Sequence, residues 1–134
     1  MSDTQRPSQN SVPNIQTILE ELDKTLILRK SANPEESYTA NLFHKGLNKI
    51  LEKIGEEAIE LVIASKNYEQ HDQQQQRSEV IYETADLWFH TLIALSHFNI
   101  SSNDVLTELA RRFGQSGIDE KAARTTASDA DLKK

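Results

Sequence analysis

Residues 47–66 read LNKILEKIGEEAIELVIASK. Leu47, Ile50, Leu51, Ile54, Ala58, Leu61 and Val62 recur at steps of one, three and four, the spacing of a helix with one apolar stripe. A half-buried strand would alternate apolar and polar residues instead. At about 100° per residue, Lys53, Glu57, Glu60 and Ala64 fall together along one flank of that stripe. The stretch predicts a long amphipathic helix whose acids stand beside its buried face. Gly46, just before it, closes a shorter helical piece that follows Thr39.

Toward the C-terminus, residues 67–77 read NYEQHDQQQQR. They hold a glutamine run and no apolar period, and they are expected to form a solvated loop. A third helix is expected over 78–98. It is apolar around most of its circumference, through Val80, Ile81, Ala85, Leu87, Trp88, Phe89, Leu92, Ile93 and Leu95, which predicts a central position. Its polar residues Glu79, Glu83, Asp86, His90 and His97 gather on one narrow stripe. A fourth helix begins after Ser101 or Ser102, which suit an N-cap. Asp104 lies in its positively polarised first turn, and Gly114 is a stop. Leu106, Leu109 and Phe113 mark its expected inner face. Toward the N-terminus, Ile15, Ile18, Leu19, Leu22 and Leu26 predict a first helix from about Pro13 to Lys30, ended by Asn33-Pro34. No hairpin or strand signal occurs. The expected class is all-α, a helical bundle of four to five helices over 13–124 that oligomerisation completes. Polar segments 1–12 and 125–134 are expected to form a disordered arm and tail.

Composition narrows the function. The chain has 134 residues, which suits one domain. A net charge of −6 gives no basic footprint for nucleic acid and little attraction to an anionic membrane. Zero cysteines exclude disulfides, thiolate metal sites and a cysteine nucleophile, and fit the cytoplasm. No apolar run reaches the ~20 residues that span a bilayer. With four glycines there is no glycine-rich phosphate cradle.

The chemistry lies in two acid pairs. Glu57 and Glu60, with Glu56 beside them, occupy one helix; Glu83 and Asp86 occupy the next. Spacing i, i+3 stacks carboxylates on one helix face, where like charges destabilise unless something offsets them. If the two helices face each other, four carboxylates converge, and a hard divalent cation such as Mg²⁺ is the natural partner. On pattern alone an ordinary solvent face is the favoured reading, and the narrowness of the polar stripe on the third helix is what brings the metal reading forward. His90, one turn after Asp86, reads as a ligand, a proton shuttle or the end of the polar seam. Lys53 reads as a salt-bridge partner or a phosphate contact. His71 and His97 read as exposed helix ends. A di-iron bundle fits less well, because it needs Glu-x-x-His on two helices and residues 60 and 86 are Glu and Asp.

The run Lys53-Ile54-Gly55-Glu56-Glu57-Ala58-Ile59-Glu60, followed by Glu83-Thr84-Ala85-Asp86, resembles the EExxE…ExxD signature of the all-α nucleotide pyrophosphatases, the MazG-like superfamily. Ser37-Tyr38-Thr39, Lys45-Gly46, Lys49-Ile50, Ala85-Asp86-Leu87 through His90, Arg111-Arg112, Ser116-Gly117 and Glu120-Lys121-Ala122 narrow the resemblance to the phosphoribosyl-ATP pyrophosphatase family, over roughly residues 15–124. The resemblance implies Mg²⁺-dependent hydrolysis of a small nucleotide, phosphoribosyl-ATP, to phosphoribosyl-AMP and pyrophosphate, the second step of histidine biosynthesis. It implies a cytoplasmic homodimer or larger homo-oligomer. Carried over by position, Glu57, Glu60, Glu83 and Asp86 are the metal ligands, and Glu56 and Glu57 the catalytic acids. Lys45, Lys49, Lys53, Arg111, Arg112 and Lys121 are candidates for the phosphates and the phosphoribosyl group. One departure is a loop between the acidic helices that is longer than the family's. Two alternatives remain at this point: a housecleaning nucleotide pyrophosphatase of the same superfamily, or a non-catalytic helical interaction module.

Overall fold

The computed structural model describes residues 14–114 and 124–125. A 3-10 turn at Ile15–Thr17 leads into α1 (Ile18–Arg29), followed by α2 (Tyr38–Lys45), α3 (Leu47–His71), α4 (Gln74–His97) and α5 (Ser102–Phe113). No strand occurs among the described residues, so the class is all-α as expected. Pro13, the arm over 1–12 and the tail over 125–134 (Thr125 apart) lie outside the described residues.

Local chemistry sets the helix ends. The Ser37 hydroxyl accepts a hydrogen bond from the Ala40 amide at 3.2 Å and starts α2. Gly46 has φ +97°, a region that favours glycine, and turns the chain from α2 directly into α3. Ser101 and Asp104 form a capping box at the start of α5. That end is also anchored from a distance. Asp23 of α1 accepts hydrogen bonds from the Ser102 amide at 3.0 Å and from its hydroxyl at 2.5 Å. Lys30 donates to Asn99 at 3.0 Å and ties the end of α1 to the α4–α5 turn.

The dominant packing is the antiparallel α3–α4 hairpin. Its lower half, with α1 and α2, encloses the core of Leu26, Leu42, Ile50, Leu92, Ile93 and Ala94. The expected loop over 67–77 is not there. Helix α3 runs on to His71, only Asp72 and Gln73 intervene, and Asp72 takes a left-handed φ of 33°. Apolar periodicity reports packing, whereas glutamine sustains a helix by propensity alone, so a solvated helix extension carries no periodic signal.

Two further expectations are corrected. Helix α4 is not enclosed by the described residues: Ile81 and Trp88 are 53% and 63% exposed. On α5, Leu106, Leu109 and Phe113 are exposed rather than inward. Three short helices and α3 do not surround a helix that is apolar around most of its circumference, and the surplus apolar surface faces outward.

Candidate metal centre and active site

The hairpin decides where the acids meet. Because α3 and α4 are antiparallel neighbours, the flank of α3 that carries Glu57 and Glu60 faces the polar seam of α4. Carboxylate oxygens of Glu57, Glu60 and Glu83 lie within 4.8 Å of one another. Glu57 is buried, Glu83 half-buried and Glu60 exposed, so solvent reaches the cluster at Glu60. One oxygen of Glu57 and one of Glu83 are buried without a hydrogen-bond partner. Unsatisfied buried acceptors are rare and costly in folded proteins. Asp86 stands one turn along α4 from Glu83 and outside the group of three. Its charge nevertheless acts on Glu57.

The electrostatics follow from this crowding. Burial, then Glu60 and Glu57 beside it, push the Glu83 carboxyl up to about 7. Burial, then Glu60, raise Glu57 as well. Lys53 relieves only one edge. Its ammonium lies 2.9 Å from Glu56 and 3.7 Å from Glu57. That hydrogen bond holds the Glu56 carboxyl below the usual range. Glu56 is therefore ionised and exposed, Glu57 has the Lys53 ammonium only at 3.7 Å, and Glu83 pairs with no cation among the described residues. Two orphaned acceptors, an all-oxygen donor set and a local excess of negative charge suit a hard divalent cation.

The other named residues divide by place. Lys49, one turn before Lys53, pairs with Glu52 at 3.1 Å. Lys45 is exposed in the last turn of α2. Arg111 and Arg112 are on α5, which packs against α1, and both bind Glu108 on their own helix, at 2.7 and 2.9 Å. Arg111 and then Arg112 hold the Glu108 carboxyl down at about 2. Lys121 lies outside the described residues. His71 and His97 are exposed and sit at helix ends as read. His90 is buried, and its Nε2 lies 2.8 Å from the hydroxyl of Tyr38. Sequence reading gave Tyr38 no role, because a contact between residues 52 apart leaves no trace in spacing.

The sign of the pH dependence is fixed by Glu83. Its folded pKa is raised from 4.5 to about 7, so the folded state holds more protons than the unfolded state between those values. Stability of the metal-free protein is then fully present below 4.5 and lost as pH rises through about 7. The carboxyls of Glu56 and Glu108 are lowered and act below that window. Melting temperatures in chelator should therefore fall across it, and excess Mg²⁺ should restore stability at its upper end. Glu83→Gln should flatten the metal-free curve; an unchanged slope in that variant contradicts the assignment.

Comparison with known proteins is consistent in direction. Residues 19–113 match the family model described as phosphoribosyl-ATP pyrophosphohydrolase. The chain is similar to the phosphoribosyl-ATP pyrophosphatase of Hydrogenovibrio crunogenus, with 55% identity over 108 residues, covering 81% of this chain and 93% of the relative. It is 53% identical over 107 residues to that of Geobacter sulfurreducens, covering 80% and 93%. With that of Neisseria meningitidis it shares 52% identity over 109 residues, covering 81% and 95%. Acid pairs, hairpin and relatives lead to one conclusion: this chain belongs to the phosphoribosyl-ATP pyrophosphohydrolase family.

Proposed function

We propose that this chain hydrolyses phosphoribosyl-ATP to phosphoribosyl-AMP and pyrophosphate in a Mg²⁺-dependent reaction, the second step of histidine biosynthesis. The observation that carries the metal centre is the trio Glu57, Glu60 and Glu83, gathered within 4.8 Å with two buried oxygens unpartnered. Asp86 completes the donor set from the adjacent turn. When bound, the cation supplies charge stabilisation to the phosphates and to the developing transition state. Glu56, kept ionised by Lys53, accepts a hydrogen bond from the attacking water and points it at phosphorus. The new oxygen–phosphorus bond forms as the anhydride bond to pyrophosphate breaks, and the proton that the water gives up passes to the Glu56 carboxylate. Lys53, paired with Glu56 and Glu57, and Lys49 one turn before it meet the phosphates. Lys45, Arg111, Arg112 and Lys121 are the further cations for the phosphates and the phosphoribosyl group.

The site works in a cytoplasmic homo-oligomer on this reading. Ile59, Val62 and Ile63 on α3, with Ile81 and Trp88 on α4, are each more than half exposed. They recur at helical spacing on the two helices that carry the acids. A second copy covering this surface removes a large apolar area from water. Sedimentation at micromolar concentration should give a dimer or larger species, and Ile63→Glu should shift it toward monomer. A monomeric wild type contradicts this part.

The chemistry is tested by incubating the protein with phosphoribosyl-ATP, with and without Mg²⁺, and measuring pyrophosphate. Release should require Mg²⁺, with ATP and dUTP much poorer substrates. Glu57→Ala and Asp86→Ala should each lose about a hundredfold or more, the scale of several kcal/mol of transition-state stabilisation, and stay helical. Near-wild-type turnover in either variant sinks its assignment as a ligand. Preference for a different nucleotide moves the protein to the housecleaning branch.

A further inference from the structure

Next to the acids lies a polar contact that binding and hydrolysis as described leave unused. His90 is only 4% exposed, yet both ring nitrogens are engaged. Nδ1 lies 2.7 Å from the backbone carbonyl of Asp86, which can only accept, so Nδ1 carries the proton and donates. Nε2 is then the acceptor for the Tyr38 hydroxyl at 2.8 Å. The Tyr38 ring meets the His90 ring edge-on at 5.9 Å, and Phe89 meets it edge-on at 5.7 Å, which fixes the orientation of the imidazole. Tyr38 is the first residue of α2, and its hydroxyl is within electrostatic reach of Lys53, Glu57, Asp86 and Glu56. One hydrogen-bonded chain thus joins the start of α2, through a buried ring, to the backbone of the turn that presents Asp86.

We propose that Tyr38 and His90 are a positioning pair that sets the divalent-cation affinity of the acidic cluster, by locking α2 and the Asp86 turn of α4 in place beside α3. The inference rests on the reading that the cluster takes a cation. Neither side chain is a ligand in this role; both act through the placement of Asp86. Loss of the Tyr38 hydroxyl leaves the buried Nε2 without a donor, a defect whose relief requires the ring or the turn to move. Asp86 is the acid that stands outside the trio, so its placement is the one that depends most on support from this pair. Outer-shell partners of this kind typically change metal affinity by about 10–100-fold when removed.

The test is calorimetric titration of Mg²⁺ alone into the full chain, with no substrate. Wild type, Tyr38→Phe, His90→Asn and the double variant are compared, with Tyr82→Phe as a control for the same chemical change on an exposed tyrosine of α4. Tyr38→Phe should keep its helical circular dichroism and weaken Mg²⁺ binding about tenfold or more. The double variant should lose little beyond the worse single variant, because the two residues act as one unit. Tyr82→Phe should bind as wild type does. A Tyr38→Phe protein with a lower melting temperature but unchanged Mg²⁺ affinity overturns the proposal, since that is the signature of a purely structural contact. Additive losses in the double variant overturn it too. A wild type that binds no Mg²⁺ removes the cation reading itself, a failure distinct from the other two.

Discussion

Three carboxylates held within 4.8 Å on two packed helices are the constraint on which the rest of this protein turns. At that distance two full charges repel by about 1 kcal/mol in water and about 3–4 kcal/mol at an effective dielectric of about 20. Three such pairs, two of the acids at least half-buried, cannot all stay ionised and unaccompanied at little cost. The metal-free chain answers with protons, which is why the Glu83 carboxyl rises to about 7. A divalent cation answers better near neutral pH, because it offsets two charges and gives the orphaned oxygens of Glu57 and Glu83 a partner.

The scaffold has to resist that repulsion. Its core is small and sits at one end of the hairpin, where α1 and α2 pack on the first turns of α3 and the last turns of α4. Ile50 and Ile93 are fully enclosed there and clamp the hairpin. The acids come from the stretch beyond this clamp, where Ile59, Val62, Ile63 and Ile81 still face outward. The strained part of the molecule is thus also the part that the described residues cover least, and in the proposed oligomer a second copy stiffens it.

The sequence was most legible where packing and chemistry share a helical period. The acids of α3 and the polar seam of α4 are readable from spacing, and the hairpin brings Glu57, Glu60 and Glu83 together; the apolar stripe of α3 is legible only in part, because Leu51 and Val62 of that stripe are exposed and Glu57 itself is among the buried residues of the helix. Ser101 and Gly114 marked the ends of α5 because caps are local chemistry. The glutamine run is helical where a loop is expected, since helix propensity without an apolar face leaves nothing periodic to see. Apolar residues on α5 and α4 that the pattern predicts inward face outward, because a sequence pattern shows that a face is apolar without showing which molecule covers it. The Tyr38–His90 contact and the Asp23 anchor on Ser102 were invisible for a third reason: they join residues 52 and 79 positions apart.

The most direct measurement is a crystal structure with Mn²⁺ in place of Mg²⁺, with the ion located by its anomalous scattering. The account expects a peak at the cluster between α3 and α4, with carboxylate oxygens of Glu57, Glu60 and Glu83 at about 2.0–2.3 Å and Asp86 drawn in as a further ligand or as the ligand of a second ion. A map with no peak at the cluster, and with Glu57 and Glu83 still unpartnered at neutral pH and saturating Mn²⁺, would contradict it.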